Sequence, residues 1–268
     1  MSKKNDTLLE LYEICKRSGD FTFGNELVKE ISKKNNFGNP FDATKFDSIK
    51  KLPKELVEDD IGVIHLGNGK HSFVKGINKI YHKFEPIQSN VDWEYRKSLL
   101  NEYNTSESNI LSVANNQRIL HDFLFGKDIE FENLSIENRP KTYFPHRTKT
   151  SFSYNFGKSY TIKLDKIQIE IDLTIEFDGV IGVFEGKNGS PHDFAVYQIY
   201  HPFLYYYNAN FESSIKGRIK EIVCVYVVKK KEKGITKLKL WAYSFDDPKD
   251  ITSIKFVKST CYNLLSVV

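Results

Sequence analysis

Residues 167–177 constrain the fold of this chain most strongly, because they alternate without a break between apolar and polar side chains. Isoleucine, leucine or phenylalanine occupies each odd position, and a polar or acidic residue occupies each even one. Successive side chains of a β-strand point to opposite faces, so the pattern predicts a strand with one buried face. Asp178-Gly179, a favoured two-residue hairpin turn, follows directly, and a second apolar run begins at Val180.

This turn predicts which residues face each other across the hairpin. Phe177 would pair with Val180, and counting outward along both strands places Asp172 opposite Glu185. Facing residues of an antiparallel pair project to the same side of the sheet, with their Cβ atoms about 5 Å apart. Lys187 lies two residues beyond Glu185 and therefore joins the same face.

Asp172, Glu185 and Lys187 together indicate a site for a divalent cation. Neighbouring carboxylates repel unless a cation lies between them, and Mg2+ favours one or two carboxylates plus waters and a substrate phosphate. A lysine beside the ion adds positive charge where phosphodiester hydrolysis develops negative charge. The alternative is a solvated strand face on which Lys187 pairs with Glu170 across the strands. The apolar run at 181–184 favours a covered strand, where charged groups are usually paired or functional.

An aspartate on one strand, followed by Glu185-Gly186-Lys187 at the end of the next, resembles the PD-(D/E)xK nuclease superfamily. The resemblance includes the predicted order of one helix, three strands, a helix and a strand, and covers the chain from about residue 106 to residue 230. It implies that Asp172, Glu185 and the Gly186 carbonyl hold catalytic Mg2+ and that Lys187 positions or activates a water. That water would attack the phosphorus in line while the 3′ oxygen leaves.

The chain departs from the family motif at Ile171, where the motif has proline. Members of the superfamily often add a polar residue from the first helix, and this helix offers Glu107, Gln117 and His121 as candidates. The helix after the motif offers Gln198 as a further supporting residue. Gln117 and Gln198 are the two that we expect to support the site.

The element pattern predicts an α/β (α+β) fold with a sheet decorated by helices. The resemblance implies that residues 89–268 form the mixed central sheet and flanking helices of the PD-(D/E)xK (restriction-endonuclease-like) core. A helix is expected from Ser106 to Phe125, with the serine as its cap. A second helix is expected over residues 191–208. Strands are expected over residues 151–164, 167–177, 180–187, 221–230, 235–245 and 254–257.

Residues 1–88 predict a winged-helix-like region that contacts DNA. Helical patterns at 7–17 and 25–34, and a third that starts at Asp42 and is interrupted by Pro53 before residues 54–59, precede a hairpin around Gly67-Asn68-Gly69. Three helices followed by a basic hairpin is the order of a winged helix. The alternative is a small capping domain whose lysines only keep it soluble. The candidate DNA-contacting residues are Lys45, Lys70, His71, Lys75 and, outside this region, Arg147.

The composition is compatible with a nucleic-acid partner but does not require one. The net charge is +4 and the pI is about 8.7, a mildly basic balance. The lysines at 229–233 crowd one predicted turn, which is either a solvated loop or a phosphate contact. Three separated cysteines argue against a disulfide framework or a zinc site, and the absence of a signal core or apolar span predicts a cytoplasmic protein.

With the winged-helix-like region in front of the nuclease motif, the chain resembles a type II restriction endonuclease, which implies cleavage of double-stranded DNA at a specific sequence with Mg2+ as the cofactor. The resemblance implies a homodimer and a cognate DNA methyltransferase in the same system. A structure-directed repair or mobile-element nuclease is the first alternative, because such enzymes share the core. The second is a non-catalytic winged-helix DNA-binding protein.

Overall fold

The computed structural model describes residues 2–95, 99, 106–126, 130–158, 160–212 and 214–266. These residues form several α-helices and a mixed seven-stranded sheet, which confirms the predicted α+β class. No helix in this described part of the chain is long and apolar enough to span a membrane.

Residues 2–75 contain three helices and a small antiparallel sheet of order β1-β3-β2. The elements are α1 (Lys3–Ser18), β1 (Thr22–Gly24), α2 (Asn25–Lys34), α3 (Lys54–Glu58), β2 (Ile61–Gly67) and β3 (Lys70–Lys75), followed by the short α4 (Ile77–Ile80). Ser2 caps α1 by accepting a hydrogen bond from the Asn5 N–H (3.2 Å). Gly19 ends this helix in the left-handed conformation, which glycine adopts without strain.

The segment 42–51 does not form the helix that its sequence predicts. A short 3-10 helix (Pro40–Asp42) ends where this segment begins, and a second one (Ile49–Lys51) lies at its end. The Tyr81 hydroxyl donates a hydrogen bond to the Phe46 carbonyl (3.0 Å), and the Ile49 N–H donates to the buried Asp193 carboxylate (3.0 Å). The core therefore pairs backbone groups that a helix would pair internally, and these tertiary contacts override a weak local propensity.

A mixed sheet forms the centre of the remaining chain. The strands after α4 are β4 (Tyr81–Lys83), β5 (Ser89–Tyr95), β6 (Lys141–Tyr143), β7 (His146–Phe156), β8 (Tyr160–Ile171), β9 (Leu173–Phe177), β10 (Val180–Asn188), β11 (Asp193–Ala195), β12 (Glu221–Glu232), β13 (Ile235–Phe245) and β14 (Ile254–Ser266). Seven of them form a sheet of order β5-β14-β13-β12-β10-β9-β6, in which β5/β14 and β10/β12 are parallel pairs.

Helices cover both faces of this sheet. One face packs against α5 (Glu107–Asn116) and α6 (Ile119–Phe125) through a cluster that includes Phe184 and Val225. The other face packs against α7 (Tyr197–Glu212) through a cluster that includes Val183 and Cys224. The α7 helix begins later than the sequence predicts, because β11 first pairs with β4.

The predicted helix from Ser106 to Phe125 is interrupted. Ser106 does cap α5, but Gln117 and Arg118 separate this helix from α6, and Arg118 has a φ of 62°. The Trp93 indole N–H donates to the Gln117 carbonyl (3.0 Å), a group that a continuous helix would pair internally.

The predicted strand over residues 167–177 consists of two strands. β8 ends at Ile171 and pairs with β7 in a separate hairpin, whereas β9 begins at Leu173 and pairs with β10. Burial of the odd positions holds through both strands, from Ile167 to Ile175. Asp172 lies between them, where the chain crosses from one sheet to the other.

The interior of residues 2–75 is continuous with the interior beneath α7. One cluster of buried side chains joins Leu8 and Ile64 from the N-terminal part to Ile162 and Tyr226 from the sheet region. This cluster crosses the boundary that the sequence predicts between residues 88 and 89.

Candidate active site

The β9–β10 hairpin has the register predicted from its turn. The Cα pairs continue outward from Asp178-Gly179 to Leu173 opposite Phe184. Asp172 and Glu185 are the next residues outward from this pair on the two arms of the hairpin. The local sequence thus brings these two carboxylates to the same end of the hairpin.

Asp172 is held beside Glu185 by a backbone contact. Its Oδ2 accepts a hydrogen bond from the Gly186 N–H (3.1 Å). The N–H and C=O of one strand residue point to the same side, so the Gly186 carbonyl is also directed toward Asp172. The Asp172 carboxylate is therefore bonded to the backbone that directly follows Glu185.

Glu185 and Lys187 are in direct contact and well covered. The Lys187 Nζ lies 3.1 Å from the Glu185 Oε1, and the two side chains are 20% and 13% exposed. Glu170 is engaged elsewhere, because the Arg147 guanidinium donates to it (2.8 Å) at the protein surface. The sequence alternative placed Glu170 across the strands from Lys187, but β8, which carries Glu170, pairs with β7, and the partner of β10 in this hairpin is β9.

Gln198, in the first turn of α7, contacts the same carboxylate. Its Nε2 donates to the Glu185 Oε1 (3.2 Å), and its Oε1 accepts a hydrogen bond from the Tyr226 hydroxyl (3.0 Å). Tyr226 is buried on β12, directly opposite Glu185. A phenol that donates to the amide oxygen leaves the amide N–H for the carboxylate, so the orientation of Gln198 is fixed.

The structure brings Gln198 into the site, as the sequence suggested, and adds Tyr226, which sequence reasoning missed. Alternation within the buried strand could have shown that Tyr226 shares a face with Cys224. No turn joins β10 to β12, however, so their parallel register cannot be counted from the sequence.

Gln117 lies apart from Asp172, Glu185 and Lys187, contrary to the supporting role proposed from the sequence. It follows α5, on the face of the sheet opposite Glu185 and Lys187, and its carbonyl contacts Trp93 on the edge strand β5. His121 is buried in the same helical layer beside Phe131. The Glu107 side chain lies outside the described part of the chain.

A cleft of about 760 Å³ separates Asp172, Glu185 and Lys187 from the N-terminal part of the chain. The sheet and α7 contribute Asp172, Glu185, Lys187 and Gln198 to its lining, and the N-terminal part contributes Lys4, Asp42, Lys45, Asp47, Lys51 and His65. The volume lies within the range typical of ligand sites. The segment 42–51 forms most of the wall that the N-terminal part contributes to the cleft.

Electrostatic contacts join the two walls. Burial acts to raise the pKa of Asp47, but the hydrogen bond and charge of Lys51, with a contribution from Lys187, hold this pKa below its usual value. Burial, followed by the negative charges of Asp47 and Glu185, raises the pKa of Tyr197 well above its usual value. The Tyr197 phenol therefore stays protonated at neutral pH.

The candidate DNA-contacting residues divide into surface and interior groups. The exposed ones are Lys45, Lys70, Lys75 and Arg147. His71 is buried, with its Nε2 2.8 Å from the Asn25 Oδ1 and its Nδ1 3.4 Å from the Thr44 Oγ1. Burial, with a contribution from His65, lowers the pKa of His71 to about 4. His71 is thus a neutral interior residue, contrary to the surface role expected from the sequence.

Residues 76–263 match a family described as a domain of unknown function, DUF6997, over 188 of the 268 residues. The chain belongs to the DUF6997 family. Residues 5–73 of this DUF6997 protein match a second domain of unknown function, DUF6996. No curated protein and no solved structure matches the chain.

The cleft of the DUF6997 protein lies across both matched segments. Asp47 and Lys51 belong to the DUF6996 segment, whereas Asp172, Glu185 and Lys187 belong to the DUF6997 segment. The cleft therefore depends on how the two segments pack together.

The donor set of the DUF6997 protein suits a hard cation that keeps waters. Within the described ranges, no group of three or more His, Cys, Asp or Glu side chains is arranged to hold a metal ion. Mg2+ usually retains several waters and binds through one or two carboxylates plus substrate phosphate, a number of carboxylates that Asp172 and Glu185 would supply.

Proposed function

We propose that this protein is a Mg2+-dependent DNA endonuclease whose catalytic groups are Asp172, Glu185 and Lys187. The observation that carries the proposal is the shared contact of Lys187 and Gln198 with one oxygen of Glu185, inside a cleft and beside the fixed Asp172. Exposed ion pairs contribute little to stability and do not need further contacts such as the one that Gln198 makes with Glu185. Charged groups that are covered, mutually oriented and in a cleft are typical of functional sites.

Each residue of this chain would have a separate task. Asp172, Glu185 and the Gly186 carbonyl would hold the ion. Bound Mg2+ supplies an activated water and neutralises charge on a phosphate. The Lys187 ammonium would stabilise the negative charge that develops on the scissile phosphate. Gln198 would keep the Glu185 carboxylate in one orientation.

The N-terminal part supports DNA as the substrate. Its element order α1-β1-α2-α3-β2-β3 and its sheet order β1-β3-β2 are compatible with a winged helix, in which α3 would approach the major groove. Lys45, Lys70 and Lys75 are exposed on this part and would contact phosphates.

The biological role that we propose is restriction. By analogy with restriction enzymes, the protein would act in the cytoplasm as a two-fold homodimer and would cut both strands of unmodified DNA. A cognate methyltransferase would protect the host DNA.

The test is incubation of the purified protein with unmodified plasmid and phage DNA, in Mg2+ or in EDTA. We expect discrete fragments only with Mg2+, and a loss of about 100-fold or more in Lys187→Ala, because a residue that stabilises transition-state charge typically contributes that much. Lys163→Ala, at an exposed lysine on β8, is the matched control and should cut normally.

The products distinguish the alternatives. Cleavage that follows DNA structure instead of sequence would favour a repair or mobile-element nuclease. Absence of cleavage on unmodified and methylated DNA, with binding unaffected by Asp172→Ala, would overturn the nuclease proposal in favour of a DNA-binding protein.

A further inference from the structure

The turn between β12 and β13 concentrates the positive charge of the protein. We call residues 229–239 the lysine hairpin. It contains six lysines and one glutamate, a net charge of +5, whereas the whole chain carries +4. The formal charges of the remaining residues therefore sum to −1, so the lysine hairpin accounts for the net positive charge of the chain.

The lysine hairpin extends from the same end of the sheet as the candidate active site. Lys187 on β10 lies opposite Val228 on β12, and Val228 lies opposite Lys239 on β13. Neighbouring strands are about 4.8 Å apart, which puts the backbones of Lys187 and Lys239 about 10 Å from each other.

Three of the lysines point to the same face as Lys187. Val228 belongs to the cluster beneath α7, and side chains alternate along a strand, so Lys230 shares the face of Val228. Lys237 lies opposite Lys230, and Lys239 lies opposite Val228. The face that holds the candidate catalytic residues therefore continues directly into this set of lysines.

A single carboxylate holds the three lysines together. Glu232 lies 3.0 Å from the Lys230 Nζ, 3.1 Å from the Lys237 Nζ and 3.2 Å from the Lys239 Nζ. The hydrogen bonds from Lys230, Lys237 and Lys239 lower the pKa of Glu232 to about 2. Three ammonium groups around one carboxylate leave a net charge of +2, fixed in position and partly open to solvent.

We propose that the lysine hairpin binds the DNA backbone beside the scissile phosphate, through Lys230, Lys237 and Lys239. This inference rests on the proposed nuclease function and extends its substrate contacts. Phosphates along one DNA strand advance by about 3.4 Å of helix axis per nucleotide, so a separation of about 10 Å corresponds to about three nucleotides. The contact is electrostatic and carries no base specificity.

The test measures DNA binding and does not depend on cleavage. Fluorescence anisotropy of a labelled DNA duplex in EDTA, over a series of NaCl concentrations, gives the dependence of log Kd on log salt. In the triple variant K230A/K237A/K239A we expect the magnitude of this slope to fall by about 2 to 3, because each phosphate contact contributes about 0.9. We expect the Kd at low salt to rise at least about tenfold.

The matched control is the triple variant K216A/K220A/K255A. It removes the same number of charges from exposed lysines near the opposite end of the sheet, where β12 and β14 begin. The control should retain the slope of the native protein. Circular dichroism and the melting temperature establish that both triple variants are folded.

Glu232→Gln provides a test in the opposite direction. It removes the only negative charge of the lysine hairpin and leaves all six lysines, so we expect DNA binding to tighten. Weaker or unchanged binding of a folded Glu232→Gln protein would count against the proposal.

The possible outcomes separate this inference from the proposed function. An unchanged slope in K230A/K237A/K239A, or an equal loss in the control, overturns the lysine-hairpin proposal even if the native protein cuts DNA. A native protein that binds no DNA in EDTA overturns it too. Binding that needs the hairpin, without cleavage under any condition, supports the contact of the lysine hairpin with the DNA backbone and overturns both the nuclease proposal and the placement of that contact beside a scissile phosphate.

Discussion

At the scale of single residues, the Glu185 carboxylate is the centre of a directional hydrogen-bond chain. The Tyr226 hydroxyl donates to the Gln198 amide oxygen, and the Gln198 amide nitrogen donates to Glu185. Lys187 contacts the same oxygen of Glu185. Such partners of a ligating carboxylate restrict its orientation, and their loss typically reduces metal affinity or activity.

We predict that Gln198→Ala lowers Mg2+-dependent cleavage by about 10- to 100-fold, the usual effect of removing a residue that orients a metal ligand. The variant should also need more Mg2+ for half-maximal rate, because Glu185 would no longer be held in one orientation. Initial cleavage rates measured across a Mg2+ titration test both effects.

Gln117→Ala is the matched control for this prediction, since it removes the same side chain from the opposite face of the sheet. It should cut DNA at the native rate. Equal losses in Gln117→Ala and Gln198→Ala would contradict the assignment of Gln198 to the site.

At the scale of elements, the β2–β3 hairpin packs against β8 at the end of the cleft. Gly67 has a φ of 85°, and a Cβ at this position would lie 2.0 Å from the Asp165 carbonyl oxygen. Asn68 donates a hydrogen bond to the Asp165 carboxylate. The close backbone approach requires glycine, and it fixes the N-terminal part against the strand that leads to Asp172.

We predict that Gly67→Ala lowers the free energy of unfolding by about 3 kcal/mol or more, because a positive-φ alanine costs about 1–3 kcal/mol and the clash with backbone adds to it. Urea unfolding of the native and variant proteins measures the difference. Gly234→Ala is the control that lacks the clash, since Gly234 has the same φ of 85° with no atom within 4 Å of the added Cβ. The difference between the two variants therefore measures the cost of the clash.

The control should lose only about 1 kcal/mol, the cost of the backbone conformation alone. Similar losses in the two variants would mean that the approach of Gly67 to β8 is not tight in solution.

At the scale of the whole molecule, the two matched segments share one interior. Buried side chains from residues 5–73 and from residues 76–263 form a single cluster, and the cleft lies between them. A shared core of this kind couples the unfolding of its parts. Separation of the segments would expose apolar surface on both and remove one wall of the cleft.

We predict a single cooperative unfolding transition in urea. The fluorescence of Trp93 and Trp241 reports on the sheet region, and thiol labelling of buried Cys15 reports on the N-terminal part. The two midpoints should coincide because the cluster is continuous. Labelling of Cys15 at clearly lower urea than the fluorescence change would show that the N-terminal part unfolds independently.

The sequence alone determined the features that depend on neighbouring residues. Strict alternation and the Asp178-Gly179 turn together give the register of β9 and β10, and hence the meeting of Asp172 with Glu185. The Ser106 cap and the β2–β3 hairpin are equally local. Each of these follows from backbone geometry within about 20 residues, where turns and caps restrict the chain directly.

Only the tertiary structure decided the features that depend on distant segments. Asp193 and Tyr81 hold the segment 42–51 out of the helix that its sequence favours. The parallel pairing of β10 with β12 brings Tyr226 to Gln198, and it also places the lysine hairpin beside Lys187. No turn links these strands, so their register is set by packing of the whole core, which no local pattern encodes.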